Sequence, residues 1–255
     1  MSSDGAVVIS ARERAHVVSL NHGANAIDDA LLGAIEAALD RLEAAGSPAL
    51  VLTSGHRSIF CPGLDLKKLD GEPRDVVRAI VIRYNALLRR IATYPGPIVA
   101  AIGGHAIAGG CLLAMACDRR VMARSGARLG LSEINLGIPV PAGAVTMLLA
   151  LFPTRAVEQL VLEGDGLGGE RALELGLVER LADNAAVIDD ACRLAAHLAS
   201  RPPAAFTAAK SYLRHGLGEA MSARDAAGLE DFLDRWFDPD TQDRIGALVA
   251  QMKRP

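Results

Sequence analysis

The sequence predicts an α/β fold: a parallel sheet built from strand–helix–strand units, followed by a helical C-terminal region. Two observations support this fold class. Short apolar runs of strand length, 49–54 and 98–102, alternate with longer amphipathic stretches in the first half of the chain. Beyond Pro141 the pattern is helical throughout, so we expect the sheet to be complete by about residue 130.

The first elements follow from apolar spacing and turn residues. Residues 6–10 and 15–20 form a predicted hairpin. Asp28 or Asp29 is placed to cap a helix that runs to about residue 45, since apolar residues then recur at helical spacing. A strand at 49–54, a loop at 55–70 and a helix at about 73–93 follow. Further strands are predicted at 98–102, 121–123 and 127–129, and helices near 142–151, 154–162, 170–175, 185–200, 203–213, 218–236 and 240–253.

Length and composition bound the class of protein. The 255 residues suffice for one substantial domain, and 51% hydrophobic residues supply a large core. A net charge of −3 with mixed signs gives no support for nucleic-acid binding or for an electrostatic membrane anchor. The opening residues lack a basic segment followed by an apolar one, so we expect no secretory signal and a cytoplasmic protein.

The four cysteines form no CxxC pair and have no histidine at ligand spacing. We therefore expect no metal site. The simplest interpretation is that Cys61, Cys111, Cys117 and Cys192 are small buried side chains in a reducing compartment.

The longest apolar run, residues 98–118, has three interpretations: a membrane span, a strand-to-helix turn of a structural core, or a turn that presents backbone N–H groups to a ligand. Its length suits a membrane helix. Four internal glycines disfavour a continuous helix, however. We expect a buried strand at 98–102, a glycine-rich turn at 103–110 and an apolar helix that starts near Gly109.

A second glycine turn, at 62–65, precedes this one. If the strands before the two turns are parallel neighbours, both turns lie at one sheet edge, where α/β proteins bind ligands. Two N–H groups from two turns that converge on one oxygen make an oxyanion hole. Neither turn has the GxxxxGK[ST] or GxGxxG pattern of nucleotide sites, and the chain has no GxSxG hydrolase motif.

Glu133 is the most informative acidic residue. It lies in the mostly apolar segment 131–138, with no basic residue within four positions. Apolar surroundings raise the pKa of a carboxyl, which suits a general acid or base near neutrality; the alternative is an exposed loop acid. His22 and His105, each beside a glycine in a loop, are either bases or ligands, or incidental.

With these motifs in place, the chain resembles the crotonase superfamily (the enoyl-CoA hydratase/isomerase family). Four segments carry the resemblance in order: LNHGANAIDDALL at 20–32, FCPGLDLKKL at 60–69, PIVAAIGGHAIAGGCLLAMACD at 97–118 and RLGLSEINLGIPVPAG at 128–143. The match continues through 154–180. The resemblance implies crotonase-like repeated ββα units with a helical C-terminal region, an acyl-CoA thioester as substrate, and a homotrimer or dimer of trimers.

The resemblance also implies roles for individual residues. By position, the N–H groups of Leu64 and Gly109 are the oxyanion donors. Ala24 and Ala26 of one turn, with Asp65, Leu66 and Lys67 of another segment, are expected to line the CoA moiety. No separate cofactor is implied, because coenzyme A is part of the substrate.

Two departures from the family pattern are informative. Hydratases of this family carry a glutamate directly after Gly-Gly-Cys, where this chain has Leu112, while the glutamate of the following loop is retained as Glu133. The pattern is similar to Δ3,Δ2-enoyl-CoA isomerases, which need one acid/base and a dry pocket. It predicts an isomerase; a hydratase, another crotonase-type enzyme and an inactive acyl-CoA-binding protein are the alternatives. Pro62 replaces the usual Ala and is expected to stiffen its loop.

The predicted organisation is an α/β core over residues 1–199 and a helical region over 200–255, which acts as a lid or in oligomerisation. That region holds most of the few aromatic residues. They are interpreted as core packing, or alternatively as a lid or subunit contact: Phe206, Tyr212, Phe232, Trp236 and Phe237.

Overall fold

The structure, a computed structural model, describes residues 5–12 and 14–252. Residues 1–4, on which the expectation of no secretory signal partly rests, lie outside the described part. The same is true of residue 253, the predicted end of the last helix.

The described strands form two sheets. The larger has the order β1-β2-β3-β5-β7-β9, with β1 and β2 antiparallel and every other pair parallel. Its strands are β1 Val7–Arg12, β2 Ala15–Leu20, β3 Ala49–Ser54, β5 Ile98–Ile102, β7 Arg119–Ala123 and β9 Arg180–Ala182. The smaller sheet is parallel, with the order β4-β6-β8: β4 Ile59–Cys61, β6 His105–Ile107 and β8 Leu129–Gly130.

Helices connect these strands, and after β9 the described elements are all helical. Those of the first half are α1 Asp29–Ala44, α2 Leu66–Leu69, α3 Arg74–Ala92, α4 Gly109–Ala116 and α5 Glu133–Leu136. Those of the second half are α6 Ala142–Leu151, α7 Thr154–Glu163, α8 Gly169–Glu174, α9 Val187–Ala199, α10 Pro203–Leu213, α11 Leu217–Trp236 and α12 Pro239–Met252. A 3-10 turn, Asn184–Ala186, precedes α9.

Local sequence explains the first helix. The Asp28 side chain accepts a 2.8 Å hydrogen bond from the Leu31 N–H, which caps α1 as predicted. The buried residues of α1 recur at helical spacing, and the helix ends where Gly46 takes a φ of +87°.

The larger sheet is not complete by residue 130, contrary to the expectation. β9 adds a parallel edge strand beside β7, with Val121 opposite Arg180. Three residues, Arg-Leu-Ala, are too few to show a strand pattern in the sequence. Their extended conformation is stabilised by pairing with β7, a contact that is remote along the chain.

The predicted loop 55–70 and the predicted turn 103–110 each contain a short strand, β4 and β6. These strands pair with each other and with β8, so the two glycine turns leave adjacent strands of the smaller sheet. Helix α4 packs against both β4 and β6. A Cβ on Gly110 would lie 1.9 Å from the Cys61 carbonyl oxygen, so only glycine permits this approach.

The buried side chains of both sheets and of the surrounding helices form one continuous core. Helix α9 lies across β2, β3, β5 and β7, and α11 packs on α3 and α6. The four cysteines are buried and not disulfide-bonded. No helix in the described part of the chain is both long and apolar enough to cross a bilayer, and the run 98–118 is divided between β5, β6 and α4. The division into a core of 1–199 and a region of 200–255 stays a prediction.

Candidate active site

A cavity of about 750 Å³ opens beside the ends of β4 and β6. Its walls come from the turn before α1, the two glycine turns, the α5 segment, and helices α11 and α12. It brings together all eight site residues that the sequence predicted: Glu133, Leu64, Gly109, Ala24, Ala26, Asp65, Leu66 and Lys67.

The two glycine turns are in direct contact. Gly63 has a φ of +96°, a conformation that side chains rarely adopt. A Cβ at Gly63 would lie 2.9 Å from the Ala108 Cβ and 3.0 Å from the Gly109 nitrogen. The first turn can therefore approach the second this closely only with glycine at position 63.

Backbone pairing between Leu64 and Ile27 leaves the Leu64 N–H pointing away from Ile27. Leu64 forms a parallel bridge with Ile27, in which the Ile27 N–H donates to the Gly63 carbonyl and the Asp65 N–H donates to the Ile27 carbonyl. In such a bridge the N–H of the central residue points the other way. Among the residues that the structure describes, the Leu64 N–H has no backbone acceptor.

Gly109 is the first residue of α4, so its N–H has no acceptor within the helix. The preceding Ala108 has φ +50° and ψ −126°, a strained conformation for a residue with a side chain. The Ala108 N–H donates to the Gly130 carbonyl at 2.8 Å and so fixes the strained turn to β8. Leu64 and Gly109 thus supply two N–H donors, without backbone acceptors among the described residues, from adjacent turns on one cavity wall.

Glu133, the first residue of α5, lines the same cavity. Its Oε2 atom is buried and, in the described part of the chain, has no hydrogen-bond partner. Burial raises the pKa of Glu133 to about 7. The carboxyl is therefore not the exposed loop acid of the alternative interpretation.

The short helix that carries Glu133 is held by its C-terminal cap and by a side-chain bond to the loop after α7. Gly137 ends α5 with a φ of +88°. The Asn135 side-chain amide donates to the Gly164 carbonyl at 2.9 Å, and the Ile138 N–H donates to the Glu133 carbonyl at 3.1 Å. These bonds fix the position from which the Glu133 carboxyl meets the cavity.

A charged cluster lies where the turn before α1 meets α2. The Asp28 carboxylate contacts Lys68 Nζ at 2.5 Å and His22 Nε2 at 2.9 Å. Burial opposes ionisation of Asp28, but hydrogen bonds from Lys68, the Leu31 N–H and His22 outweigh it and hold the pKa of that carboxyl well below its usual range. His22 and Lys68 line the cavity. His105 lies in β6 and, within the described chain, is not one of the lining residues.

Sequence reasoning missed Asn25, which fixes the turn between Ala24 and Ala26. Asn25 is fully buried and has a φ of +61°. Its amide donates to Ser54 Oγ at 2.8 Å and to the Phe60 carbonyl at 3.1 Å, and its Oδ1 accepts from the His22 N–H. An asparagine between Gly-Ala and Ala is a recognisable left-handed turn signal, but its long-range partners are not visible in the sequence.

Helices α11 and α12 supply an apolar wall that the sequence foresaw only in part. Phe232 and Trp236 are buried, which agrees with core packing, and they also line the cavity. A role as a lid or subunit contact stays a prediction. Leu248 and Met252 of α12 join them and were not predicted. Tyr212, by contrast, is 79% exposed.

Leu112 is fully buried and, within the described chain, is not one of the cavity-lining residues. The apolar character of the cavity instead comes from side chains such as Ile107, Leu136 and Ile138. Pro62 lines the cavity on the loop before Gly63. Position 112 therefore contributes no second acid to this site. No group of three metal-ligating side chains is found among the described residues.

Comparison with known proteins identifies the family. The model of the enoyl-CoA hydratase/isomerase family matches residues 13–240. The chain belongs to this family, within the crotonase superfamily. Enzymes of the family act on acyl-CoA thioesters.

The names of similar proteins include both hydratase and isomerase activities. A probable enoyl-CoA hydratase of Bacillus subtilis is 34% identical, over 84% of this chain and 90% of its own. An enoyl-CoA isomerase/hydratase of Zymoseptoria tritici is 32% identical, over 92% of this chain and 79% of its own. The crystal structure of human mitochondrial Δ3-Δ2-enoyl-CoA isomerase superposes with a TM-score of 0.91, over 97% of this chain and 98% of its own, at 24% identity; this likeness concerns the fold.

Proposed function

We propose that this protein is an isomerase that moves the C3 double bond of an acyl-CoA thioester to C2 through a thioester enolate. The observation that carries the proposal is the carboxyl of Glu133, whose Oε2 atom is buried, in a cavity that also presents the Leu64 and Gly109 N–H groups, for which the described chain provides no backbone acceptor. Asp65, the other lining acid, is engaged as the cap of α2, where its Oδ1 accepts from the Lys67 N–H.

The reaction divides into two proton transfers. The Glu133 carboxylate takes a proton from C2, which is acidic because it lies beside the thioester carbonyl. The C–H electron pair moves onto the thioester oxygen, where the Leu64 and Gly109 N–H groups bind the resulting oxyanion. The Glu133 carboxyl then returns its proton to C4 as the electrons move back, which places the double bond between C2 and C3 with no net gain or loss of atoms.

The environment of Glu133 suits both transfers. A pKa of about 7, raised by burial, lets one group accept a proton and return it at neutral pH. C2 and C4 are close neighbours in the substrate, so one carboxyl can reach both. Leu112 provides no second acid, whereas addition of water requires one group to activate water and another to handle the C2 proton.

A hydratase is the second candidate, because most of the relatives' names are of that kind, as for the Bacillus subtilis protein. The Zymoseptoria tritici relative is named for both activities. A different crotonase-type reaction and an inactive acyl-CoA-binding protein are the remaining alternatives.

The test compares two reactions of the purified protein. We expect 3-enoyl-CoA substrates to gain the ultraviolet absorbance of the conjugated 2-enoyl thioester, and crotonyl-CoA to be hydrated slowly or not at all. Glu133→Gln should lower the isomerisation rate by roughly 10²–10⁴-fold. Glu163→Gln, a change in an exposed acid at the end of α7, is the control.

Each other outcome assigns a different function. Fast hydration of crotonyl-CoA without isomerisation would identify a hydratase. Full isomerase activity in Glu133→Gln would show that another group is the base. Acyl-CoA binding in a calorimeter, without turnover of any enoyl-CoA, would identify an inactive binding protein.

A further inference from the structure

Tyr84 lies in the middle of α3, directly behind the first turn of α4. It is 2% exposed, and its hydroxyl donates a 2.5 Å hydrogen bond to the Gly109 carbonyl oxygen. A Cβ on Gly109 would lie 3.1 Å from the Tyr84 hydroxyl and 3.2 Å from its Cζ. The phenol therefore packs against the main chain of Gly109 itself.

The hydroxyl is held in its protonated, donating form. Burial raises the pKa of Tyr84 well above its usual range, and a negative charge on Glu133 raises that pKa further. Tyr84 is not one of the cavity-lining residues in the described chain, so it touches no substrate there.

The Gly109 N–H needs such support because the residue before it is strained. Ala108, with a φ of +50°, sets the plane of the peptide that carries this N–H. On one side, the Ala108 N–H is bonded to the Gly130 carbonyl at 2.8 Å. On the other side, Tyr84 holds the Gly109 carbonyl, so the peptide units before and after the Ala108–Gly109 peptide are both held.

We propose that Tyr84 is a positioning residue that holds the Gly109 N–H in the orientation in which it stabilises a thioester oxyanion. The inference rests on the proposed enolate chemistry. It adds a buried side chain of α3 to the support of the two proposed oxyanion donors, which lie in the two glycine turns and at the start of α4. A displacement of well under an ångström at an oxyanion donor weakens stabilisation of the enolate more than binding of the uncharged thioester.

The experiment compares two tyrosines that donate to backbone carbonyls. Tyr84→Phe removes the bond to Gly109. Tyr94→Phe removes a 2.9 Å bond from an equally buried tyrosine to the Pro48 carbonyl. In the described chain, neither Tyr84 nor Tyr94 lines the cavity. The probe is acetoacetyl-CoA, whose bound enolate absorbs in the near ultraviolet, so its absorbance against pH measures oxyanion stabilisation directly. Butyryl-CoA affinity measures ground-state binding.

We expect Tyr84→Phe to lower the equilibrium constant for enolate formation and kcat for isomerisation by about tenfold each. Butyryl-CoA affinity should stay within about twofold of the wild-type value. Tyr94→Phe should lose a similar amount of stability and change neither the enolate titration nor kcat.

Two results would overturn the inference: a Tyr84→Phe enolate titration equal to that of the wild type, or equal losses of enolate formation in both variants. Failure of the proposed function has a different signature, because it concerns the wild-type protein. Wild-type protein that binds acetoacetyl-CoA without stabilising its enolate has no working oxyanion hole. Wild-type protein that stabilises the enolate but only hydrates crotonyl-CoA refutes the isomerase and leaves the role of Tyr84 intact.

Discussion

At the residue scale, the burial of Glu133, the proposed acid/base, lowers the stability of the folded protein at neutral pH. Its Oε2 atom is buried without a partner in the described chain, and burial raises its pKa from 4.5 to about 7. Between these two values the folded protein holds a proton that the unfolded chain has lost. The contribution of Glu133 to stability is therefore highest at low pH and falls as the pH rises from about 5 to 8.

Glu133→Gln should stabilise the protein at neutral pH and above while it lowers turnover by roughly 10²–10⁴-fold. Gln cannot ionise, so the variant's free energy of unfolding does not fall with pH as that of the wild type does. The difference in free energy of unfolding, variant minus wild type, should therefore be about 2 kcal/mol larger at pH 8 than at pH 5. Urea unfolding of both proteins at the two pH values measures this difference. A constant difference across that range would show that the folded-state pKa of Glu133 is not raised.

The close approach of the two glycine turns depends on the absence of a side chain at Gly63. Gly63→Ala places a Cβ 2.9 Å from the Ala108 Cβ at a φ of +96°. We expect a stability loss of about 1–3 kcal/mol and a fall in kcat/KM of at least about tenfold, because the two oxyanion donors move apart.

Gly71→Ala is the matched control for Gly63→Ala. Gly71 also has a positive φ, of +79°, but a Cβ there meets no atom within 4 Å. It should lose about 1 kcal/mol of stability and keep its activity. Equal activity in the two variants would contradict a role for the turn-to-turn contact.

At the scale of elements, α11 connects the start of α6 to the cavity wall, which it shares with α12. Asp225, Phe232 and Trp236 are spaced by seven and four residues, which places them on one helical face. The Asp225 carboxylate accepts a 2.8 Å bond from the Gly143 N–H at the start of α6. Two turns further on, Phe232 and Trp236 line the cavity.

Trp236→Leu tests whether this wall limits the acyl group. The smaller side chain leaves space in the cavity, so we expect the ratio of kcat/KM values to shift toward longer acyl chains across a series of 3-enoyl-CoA substrates. Leu233→Val is the control: Leu233 is buried in the same helix and is outside the described cavity lining. It should cost ~1 kcal/mol of stability without changing the chain-length preference. An unchanged preference in Trp236→Leu would place the acyl chain elsewhere.

Helix α10 is attached through a buried ion cluster. Asp118 contacts Lys210 at 2.7 Å and Arg214 at 2.8 Å, and its carboxylate also accepts from the Ile98 N–H. Asp118→Asn leaves two cations with no counter-charge in a largely buried site, so we expect a loss of about 3–5 kcal/mol in urea unfolding.

Asp189→Asn provides the comparison for Asp118→Asn. Asp189 pairs with Arg12, but both side chains are more than half exposed. Its loss should cost less than about 1 kcal/mol. Similar losses in the two variants would mean that the Asp118 cluster does not anchor α10.

At the scale of the whole molecule, the assembly is a prediction from the family resemblance. We expect a homotrimer or dimer of trimers, so sedimentation should give three or six times the chain mass of 26.7 kDa. Large apolar side chains such as Leu149 and Leu162 are exposed in the single chain and are candidates for contact between subunits. Sedimentation at the mass of one chain, at concentrations where the enzyme is active, would contradict the prediction.

Most of the larger sheet and the long helices were predictable because their patterns are local. Residues 49–54 and 98–102 form strands as expected, and α3 begins and ends within one residue of the predicted bounds. The three short strands β4, β6 and β9 were missed. Each has three residues, and each is held by a partner strand that lies far away in sequence.

For the site, the sequence located the residues but not what holds them. Glu133 and the two glycine turns were found from local composition and from the family pattern. Asn25, Tyr84, Leu248 and Met252 were not, because their contacts join segments that lie far apart in the sequence. Leu112 shows the reverse case: the sequence identified its importance as a missing acid, and the structure shows that its side chain is buried away from the cavity lining.

The sequence by itself determined the fold class, the family, and the chemical types at the site: one acid in an apolar segment and two glycine turns. These are properties of neighbouring residues. Only the tertiary structure decided that the turns touch, that the Leu64 and Gly109 N–H groups have no backbone acceptor in the part of the chain described, and that the Oε2 atom of Glu133 is buried. Hydrogen-bond pairing and burial depend on segments that meet only after folding, so no local pattern records them.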